Sequence, residues 1–460
     1  MPRFFTLVVL SVLWPLCGLL AQPLQVSKNG RYLIKENGEP FFWLGDTAWE
    51  LFHRLNREEA TRYLQNRADK GFSVIQAVIL AERDGLTAPN AYGHLPLANK
   101  NPEKPVEAYF AHVDFVIQKA SELGLYVAVL PSWGKYWNNW NNNGIFTPEN
   151  ARNFGRFLGS RYRNADNLVW VLGGDANIEN EEQRSIITAM AEGLGQGNGQ
   201  RHLVTYHPSG PGRSSDYFHQ AQWLDFNMYQ SSHAAHDFDN GLFAAHDRQL
   251  SPPKPTLDAE PRYEQIISGF YYQGNSNWDR FDDFDARTAA YWSLLAGACG
   301  HTYGNNNIWQ MYDEGRESVI GAQIPWYEAI DHPGAFSMKH LARLFRARPY
   351  YLLQPAQQLL LDAPGSGPEK VRVAVASDQS FAFIYSPRGA GFTLDLSPFN
   401  GKSMRALWYN PRYGETYLLQ PNGQVAIKTF TPPTKGRGND WVLILDDNTK
   451  NFSLPGRSKE

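Results

Sequence analysis

The stretch LVWVLGGDANIENEE, residues 168–182, decides how this chain is read. Leu168 to Leu172 form an apolar run with no polar face, the pattern of a strand buried on both sides in a parallel sheet. Gly173 and Gly174 follow, then Asp175, then a polar stretch with helical character. Two glycines let the backbone turn sharply and keep side-chain bulk away from the acid, so that Asp175 can meet a substrate at close range. The competing reading of Asp175 is a cap for the helix that begins in NIENEEQ.

The same strand-then-helix unit recurs on either side. Strand-like runs are PFFWLGD (40–46), FSVIQAVIL (72–80), LYVAVLPSW (125–133), LVWVLGGD (168–175), HLVTYHP (202–208), LDFNMYQ (224–230), KPTLDAEP (254–261) and LLAGACGHTYG (294–304). Between them Asn56 caps a helix through Lys70, Pro105 opens one ending near Gly124, and Thr147-Pro148 supplies a cap and a first-turn proline. Further helical patterns cover 181–194 and 282–296. Eight such units predict an α/β fold, a (β/α)8 TIM-type barrel over 22–350. The main rival is a doubly wound open sheet, but no glycine-rich phosphate loop sits at a clean strand–helix turn. Beyond residue 350 the texture changes to short alternating strands split by Gly, Pro, Asn and Asp, from PAQQLLLDA to DWVLILDD. This predicts a small antiparallel β-sandwich over 351–460, tied to the barrel by a helix at 337–351.

The 460 residues are 42% hydrophobic and 14% aromatic, enough apolar surface for a large core. Basic and acidic residues number 43 and 46 and are well mixed, so no field for nucleic acid or a membrane surface arises. Residues 1–21 place Arg3 before an apolar stretch that ends in small residues, the layout of a cleaved secretory signal peptide. The expectation is an exported protein, periplasmic, at the cell surface or secreted, with no membrane span after cleavage. Cys17 leaves with the leader and Cys299 stands alone, so no internal disulfide is available.

In a barrel, reactive groups sit at the C-terminal ends of the strands. There the sequence places Asp46, Trp133, Lys135, Asp175, His207, Tyr229, Asp258, Glu260, His301 and Trp309. Acids, aromatics and amides with few cations suit a polyhydroxylated, weakly charged substrate. Two carboxylates from different strands are what glycosidic cleavage needs: one donates a proton to the leaving oxygen, the other attacks the anomeric carbon or activates water. Asp175 and Glu260 are the candidate pair, Glu260 otherwise reading as a salt bridge to Arg262. Alternation puts Thr256, Asp258 and Glu260 on one side of strand seven, so Asp258 competes with Glu260 or orients a partner. Asp46 binds sugar hydroxyls or caps the turn TAWELF; Glu82 and Asp84 read as solvated loop; His207, Tyr229 and Trp309 read as substrate contacts or core. The polar NNWNNNG (138–144) suits a rim. His233 and His236 lack a third ligand and read as a surface pair, DFDNG (237–241) lacks the acid a calcium loop needs at position twelve, and no G-x-S-x-G elbow occurs. No cofactor or metal is implied.

The block SKNGRYLIKENGEPFFWLGDTAWELFHRLNREEATRYLQNRADKGFSVIQA, with LVWVLGGDAN, KPTLDAEPRYE and GACGHTYGNNNIWQ, resembles the apiosidase-like glycoside hydrolases, glycoside hydrolase family 140, over residues 24–350. The tail resembles the small β-domain that often follows this catalytic domain and carries a collagen-binding label. The resemblance implies a (β/α)8 barrel with a retaining mechanism, an Asp after strand four as acid/base and a Glu after strand seven as nucleophile, which fall on Asp175 and Glu260. It also implies cleavage of the apiose–galacturonic acid bond of rhamnogalacturonan-II, a pectin. The wider barrel clan usually carries Asn-Glu where this chain has Gly174-Asp175. Alternatives are a hydrolase of another plant glycan, such as an arabinoside, and a non-catalytic carbohydrate-binding protein. Retention requires carboxyls about 5–5.5 Å apart.

Overall fold

The computed structural model describes residues 21–273, 278–362, 365–419 and 426–459. All but the last residue of the expected leader (1–21) lies outside them. Eight parallel strands build the barrel: β1 (Trp43–Thr47), β2 (Val74–Leu80), β3 (Tyr126–Ser132), β4 (Leu168–Gly173), β5 (Val204–His207), β6 (Asn227–Gln230), β7 (Thr256–Asp258) and β8 (Gly300–Tyr303). They are hydrogen-bonded in the order 5-4-3-2-1-8-7-6, with a two-residue strand, Gly212–Arg213, antiparallel on the outer edge of β6. The barrel is therefore nearly closed. The seam between β5 and β6 is bridged at one end: the Asp225 amide donates to the Val204 carbonyl at 2.9 Å, and Thr205 Oγ1 donates to the Phe226 carbonyl at 2.7 Å.

The helices lie where caps and apolar spacing place them. α1 (Arg57–Asp69) begins at a reciprocal capping box between Asn56 and Glu59, α3 (Pro148–Arg161) at one between Thr147 and Asn150, and α6 (Asp283–Leu295) at one between Asp282 and Asp285. α2 (Glu107–Glu122), α4 (Glu181–Asn198), α5 (Gly241–Asp247) and α7 (Pro333–Arg346) complete the set used below. The helix expected at 337–351 begins earlier, at Pro333, and gives way to irregular backbone after Arg346. None of the described helices is long and apolar enough to cross a membrane.

The tail forms a seven-stranded, mainly antiparallel sheet beginning at Leu353–Pro355, with a separate pair of strands, Phe392–Asp395 and Ile427–Phe430, packed on it. The stretch PAQQLLLDA is not the strand its apolar run suggests. Beyond Pro355 it tightens into a 3-10 turn, Gln357–Leu359, with Leu360 making a lone bridge to Leu394. One face of the large sheet shares a core with the barrel: Phe42, Tyr291, Trp292 and Phe345 pack with Phe383, Tyr385, Tyr409 and Ile444. The Tyr291 and Tyr385 rings stack at 4.6 Å. Around this patch Arg287 of α6 grips Asp440 with two 3.0 Å bonds, and Tyr409 Oη donates to the His340 carbonyl at 2.8 Å.

Arg287 is 1% exposed and Asp440 fully buried. Removing one partner of such a pair leaves an uncompensated buried charge, so Arg287→Ala is expected to lower unfolding stability by roughly 3–5 kcal/mol in a denaturant titration.

Candidate active site

The C-terminal mouth of the barrel holds a cavity of about 420 Å³. Asp175 and Glu260 both line it, together with Glu82, Ser209, Gln230 and Ser232. Its apolar walls come from Trp49, Trp133, Tyr263, Phe270, Tyr271 and Trp309.

Asp175 is delivered by a left-handed turn. Gly173, Gly174 and Asp175 have φ of +93°, +90° and +54°, a run that side-chain-bearing residues rarely sustain. β4 and β5 pair with Gly173 opposite His207, and a Cβ on Gly173 would sit 2.3 Å from the His207 carbonyl oxygen. The missing side chain thus lets the two strand ends close up. The Asp175 amide then donates to His207 Nδ1 at 3.4 Å.

Glu260 lies just past β7, where the backbone leaves extended geometry at Ala259 and Glu260. It is 7% exposed. His233 Nε2 is 3.1 Å from its Oε1, and His207 Nε2 is 3.2 Å from its Oε2. Each imidazole is oriented from behind by a backbone N–H on Nδ1, from Tyr263 for His233 and from Asp175 for His207. An Nδ1 that accepts leaves the ring proton on Nε2, facing the carboxylate. His233 thereby holds Oε1. The His207 contact is close but poorly aligned, and Oε2 has no aligned hydrogen bond among the described residues.

Electrostatics push the two acids apart. Asp175 is open to the cavity but ringed by dense protein. That desolvation, followed by the charges of Glu260 and Glu82, holds its carboxyl well above the ordinary aspartate range, against a pull from Ser209 and Gln230. For Glu260 burial acts upward too, but the contacts from His207 and His233 outweigh it, and the pKa is lowered. Glu82 is raised to about 7, first by burial and then by the charges of Glu50 and Glu260 against Arg83 and Lys135. Among the described residues no group of three or more His, Cys, Asp or Glu side chains could hold a metal ion.

Of the other residues placed at the mouth from sequence, Trp133 and Trp309 line the cavity. Asp46, Tyr229, Asp258 and His301 do not: all four leave the barrel wall toward the helices. Asp46 is fully buried against Arg67 Nε at 2.6 Å and Tyr63 Oη at 2.5 Å of α1. Tyr229 stacks on Phe243 of α5, and His301 Nδ1 meets Ser293 Oγ of α6 at 3.0 Å. Asp258 accepts from Ser231 Oγ and Asn240 Nδ2, both at 2.8 Å, and burial raises its pKa to about 7. Asp258 and Glu260 therefore do not share a side, because β7 ends between them. Lys135 lies beneath the mouth, donating from Nζ to the Glu82 carbonyl. His207 is fully buried and acts on Glu260 instead of reaching the cavity.

His233 is no surface residue; it is 4% exposed and bonded to Glu260. Glu82 is half-buried in the cavity wall, not solvated loop. Trp49, Gln230, Tyr263 and Tyr271 also belong to the site. Trp49 is fixed by its carbonyl, which accepts from Val78, and by Glu50, whose amide donates to the Trp309 carbonyl at 3.1 Å. Tyr271 Oη meets Ser232 Oγ at 2.8 Å.

Gly173→Ala places a methyl in the seam between β4 and β5 at positive φ. A loss of the order of 1–3 kcal/mol is expected in thermal unfolding, with His207 displaced in a structure of the variant.

No curated protein matches this chain. Residues 27–352 match the family described as "Apiosidase-like, catalytic domain", and residues 354–446 match the "Putative collagen-binding domain of a collagenase". A solved glycoside hydrolase is 32% identical over 94% of this chain and 98% of its own, with a TM-score of 0.85. A glycoside hydrolase family 5 protein from Bacteroides vulgatus ATCC 8482 is 30% identical over 94% of this chain and 95% of its own, also with a TM-score of 0.85.

Proposed function

The chain belongs to the apiosidase-like glycoside hydrolases, and from that premise we propose that it is a retaining enzyme in which Glu260 is the nucleophile and Asp175 the acid/base. The observation that carries this reading is the opposite perturbation of two carboxyls on one cavity. An acid kept protonated beside one kept ionised is the division of labour that displacement at an anomeric carbon demands.

In the first step Glu260 Oε2, which lacks an aligned partner among the described residues, attacks the anomeric carbon while Asp175 gives its proton to the departing oxygen. His233 holds the other carboxylate oxygen and fixes the side chain for attack. In the second step Asp175 takes a proton from water, which attacks the glycosyl–enzyme ester and releases Glu260. The aromatic residues of the wall supply apolar surface for the C–H bonds of a sugar ring.

For substrate we propose the apiose–galacturonic acid linkage of rhamnogalacturonan-II, on the strength of the family. An arabinoside or another plant glycan is the second reading, and the predominance of aromatic and uncharged polar walls suits a neutral sugar in either case. Export through a cleaved leader would bring the enzyme to such material. Product analysis on purified rhamnogalacturonan-II side chains tests the substrate: free apiose supports the assignment, and arabinose or nothing from a folded protein removes it. Proton NMR of the first-formed anomer tests the stereochemistry, and an inverted product would overturn the double displacement.

Asp175→Asn is expected to lose roughly 10²–10⁴-fold on a natural linkage, and far less on an aryl glycoside whose leaving group needs no proton. Glu260→Gln is expected to abolish turnover of both. The pH profile follows from the same shifts. Asp175 works protonated with a raised pKa, so the alkaline limb lies well above the ordinary aspartate value of 3.8. Glu260 works ionised with a lowered pKa, so the acid limb lies below the ordinary glutamate value of 4.5. Initial rates across pH check both limbs.

A further inference from the structure

The proposed displacement uses two of the three carboxylates that line the cavity. The third, Glu82, follows β2 by two residues and is held by its backbone. Its carbonyl accepts from Lys135 Nζ, and the amide of Arg83 donates to buried Glu50 Oε1 at 3.0 Å. The neighbouring Arg83 guanidinium is turned away, 2.7 Å from Glu317 Oε2. The Glu82 carboxylate itself has no hydrogen bond or ion pair among the described residues.

An unpaired acid beside two others, with a buried fourth, Glu50, close by, is a poor choice for stability. Like charges raise one another's free energy, and a half-buried carboxylate without donors forfeits hydration. Structural acids in this protein are placed otherwise: Asp46, Asp258 and Asp440 each accept from two or more side chains. What Glu82 lacks is a pair of donors, and it shares the cavity with Trp49, Trp133 and Trp309. A carboxylate beside indole rings suits a ligand that carries both C–H surface and hydroxyls.

We infer that Glu82 is a sugar-binding, specificity-determining residue, its two carboxylate oxygens accepting hydrogen bonds from adjacent hydroxyls of the sugar whose anomeric carbon faces Glu260. The inference rests on the assignment of Glu260 and Asp175 above and adds a role that the displacement itself does not require. A vicinal diol presents two donors at the spacing of one carboxylate, so sugars lacking either hydroxyl are selected against.

The experiment uses the full chain and a panel of 4-nitrophenyl glycosides, including the apioside and the arabinofuranoside. The glycoside cleaved fastest by the wild-type protein is the probe. An aryl leaving group departs without help from Asp175, which separates a grip on the sugar from an electrostatic effect on the acid. Glu82→Gln and Glu82→Asp are both expected to lose about 10- to 100-fold in kcat/KM on that probe, with KM raised. Both are expected to unfold at a temperature no lower than wild type, since a mutual repulsion is relieved or a side chain shortened without loss of a partner. If Glu82→Gln cleaves the aryl glycoside like wild type and loses only on a natural linkage, with its alkaline limb shifted down, Glu82 acts through Asp175 and the inference falls. Full activity in Glu82→Asp sinks it too, since a withdrawn carboxylate keeps its field but not its reach. A wild-type preference for the arabinofuranoside revises the sugar proposed above and leaves Glu82 in place. A folded wild-type protein that cleaves nothing removes the enzyme reading, and this inference with it.

Discussion

One imidazole ties the two halves of the site together. His207, at the end of β5, accepts the amide of Asp175 on one nitrogen and presents the other to Glu260. The ring cannot satisfy both neighbours unless β4 ends in a turn that brings the Asp175 amide against β5. That requirement is met by two residues without side chains at positive φ. Packing against Trp49 at 5.5 Å, nearly perpendicular, prevents the imidazole from swinging toward the cavity. A single fully buried side chain thus meets the turn that positions one acid and, together with His233, lowers the pKa of the other.

The rest of the mouth is organised to keep this arrangement dry on one side and open on the other. The Trp49–Glu50 turn is hydrogen-bonded to both β2 and the segment carrying Trp309, which joins the three into one wall. Opposite, the segment carrying Phe270 and Tyr271 is attached at Gly269, whose amide donates to the His233 carbonyl at 2.7 Å, and at Ser232. Arg262 supports that side from beneath, its Nη1 donating to the carbonyls of His236 and Phe238 at 3.0 and 2.8 Å. Charge therefore remains in the cavity, where ligand hydroxyls can meet it, while the cation is spent on main chain.

The barrel was legible because its strands are short apolar runs separated by helical patterns, and caps such as Asn56 and Thr147 act within four residues of sequence. The two acids that line the cavity could be placed at the mouth from sequence too, since each follows a strand end by two positions. What failed was the face of each strand. A pleat says which residues share a side but not which side looks inward, and strands buried on both faces carry no polar–apolar alternation to settle it. Asp46, Tyr229, Asp258 and His301 were misplaced for that reason. Register makes the failure collective: Tyr229, Asp258 and His301 are paired across β6, β7 and β8, so all three point the same way. His233 and Glu82 were undervalued because they sit in loops, where no periodicity exists and long-range contacts decide.

The common core between α6, α7 and the C-terminal sheet reaches beyond packing. A chain ending near residue 352 would turn Phe42, Tyr291, Trp292 and Phe345 toward water, a contiguous greasy patch on an otherwise mixed-charge exterior. Such a fragment would stick to copies of itself before it found substrate. Barrel and tail therefore depend on one another for solubility, and any ligand-binding face the tail offers has to lie on the side turned away from the helices.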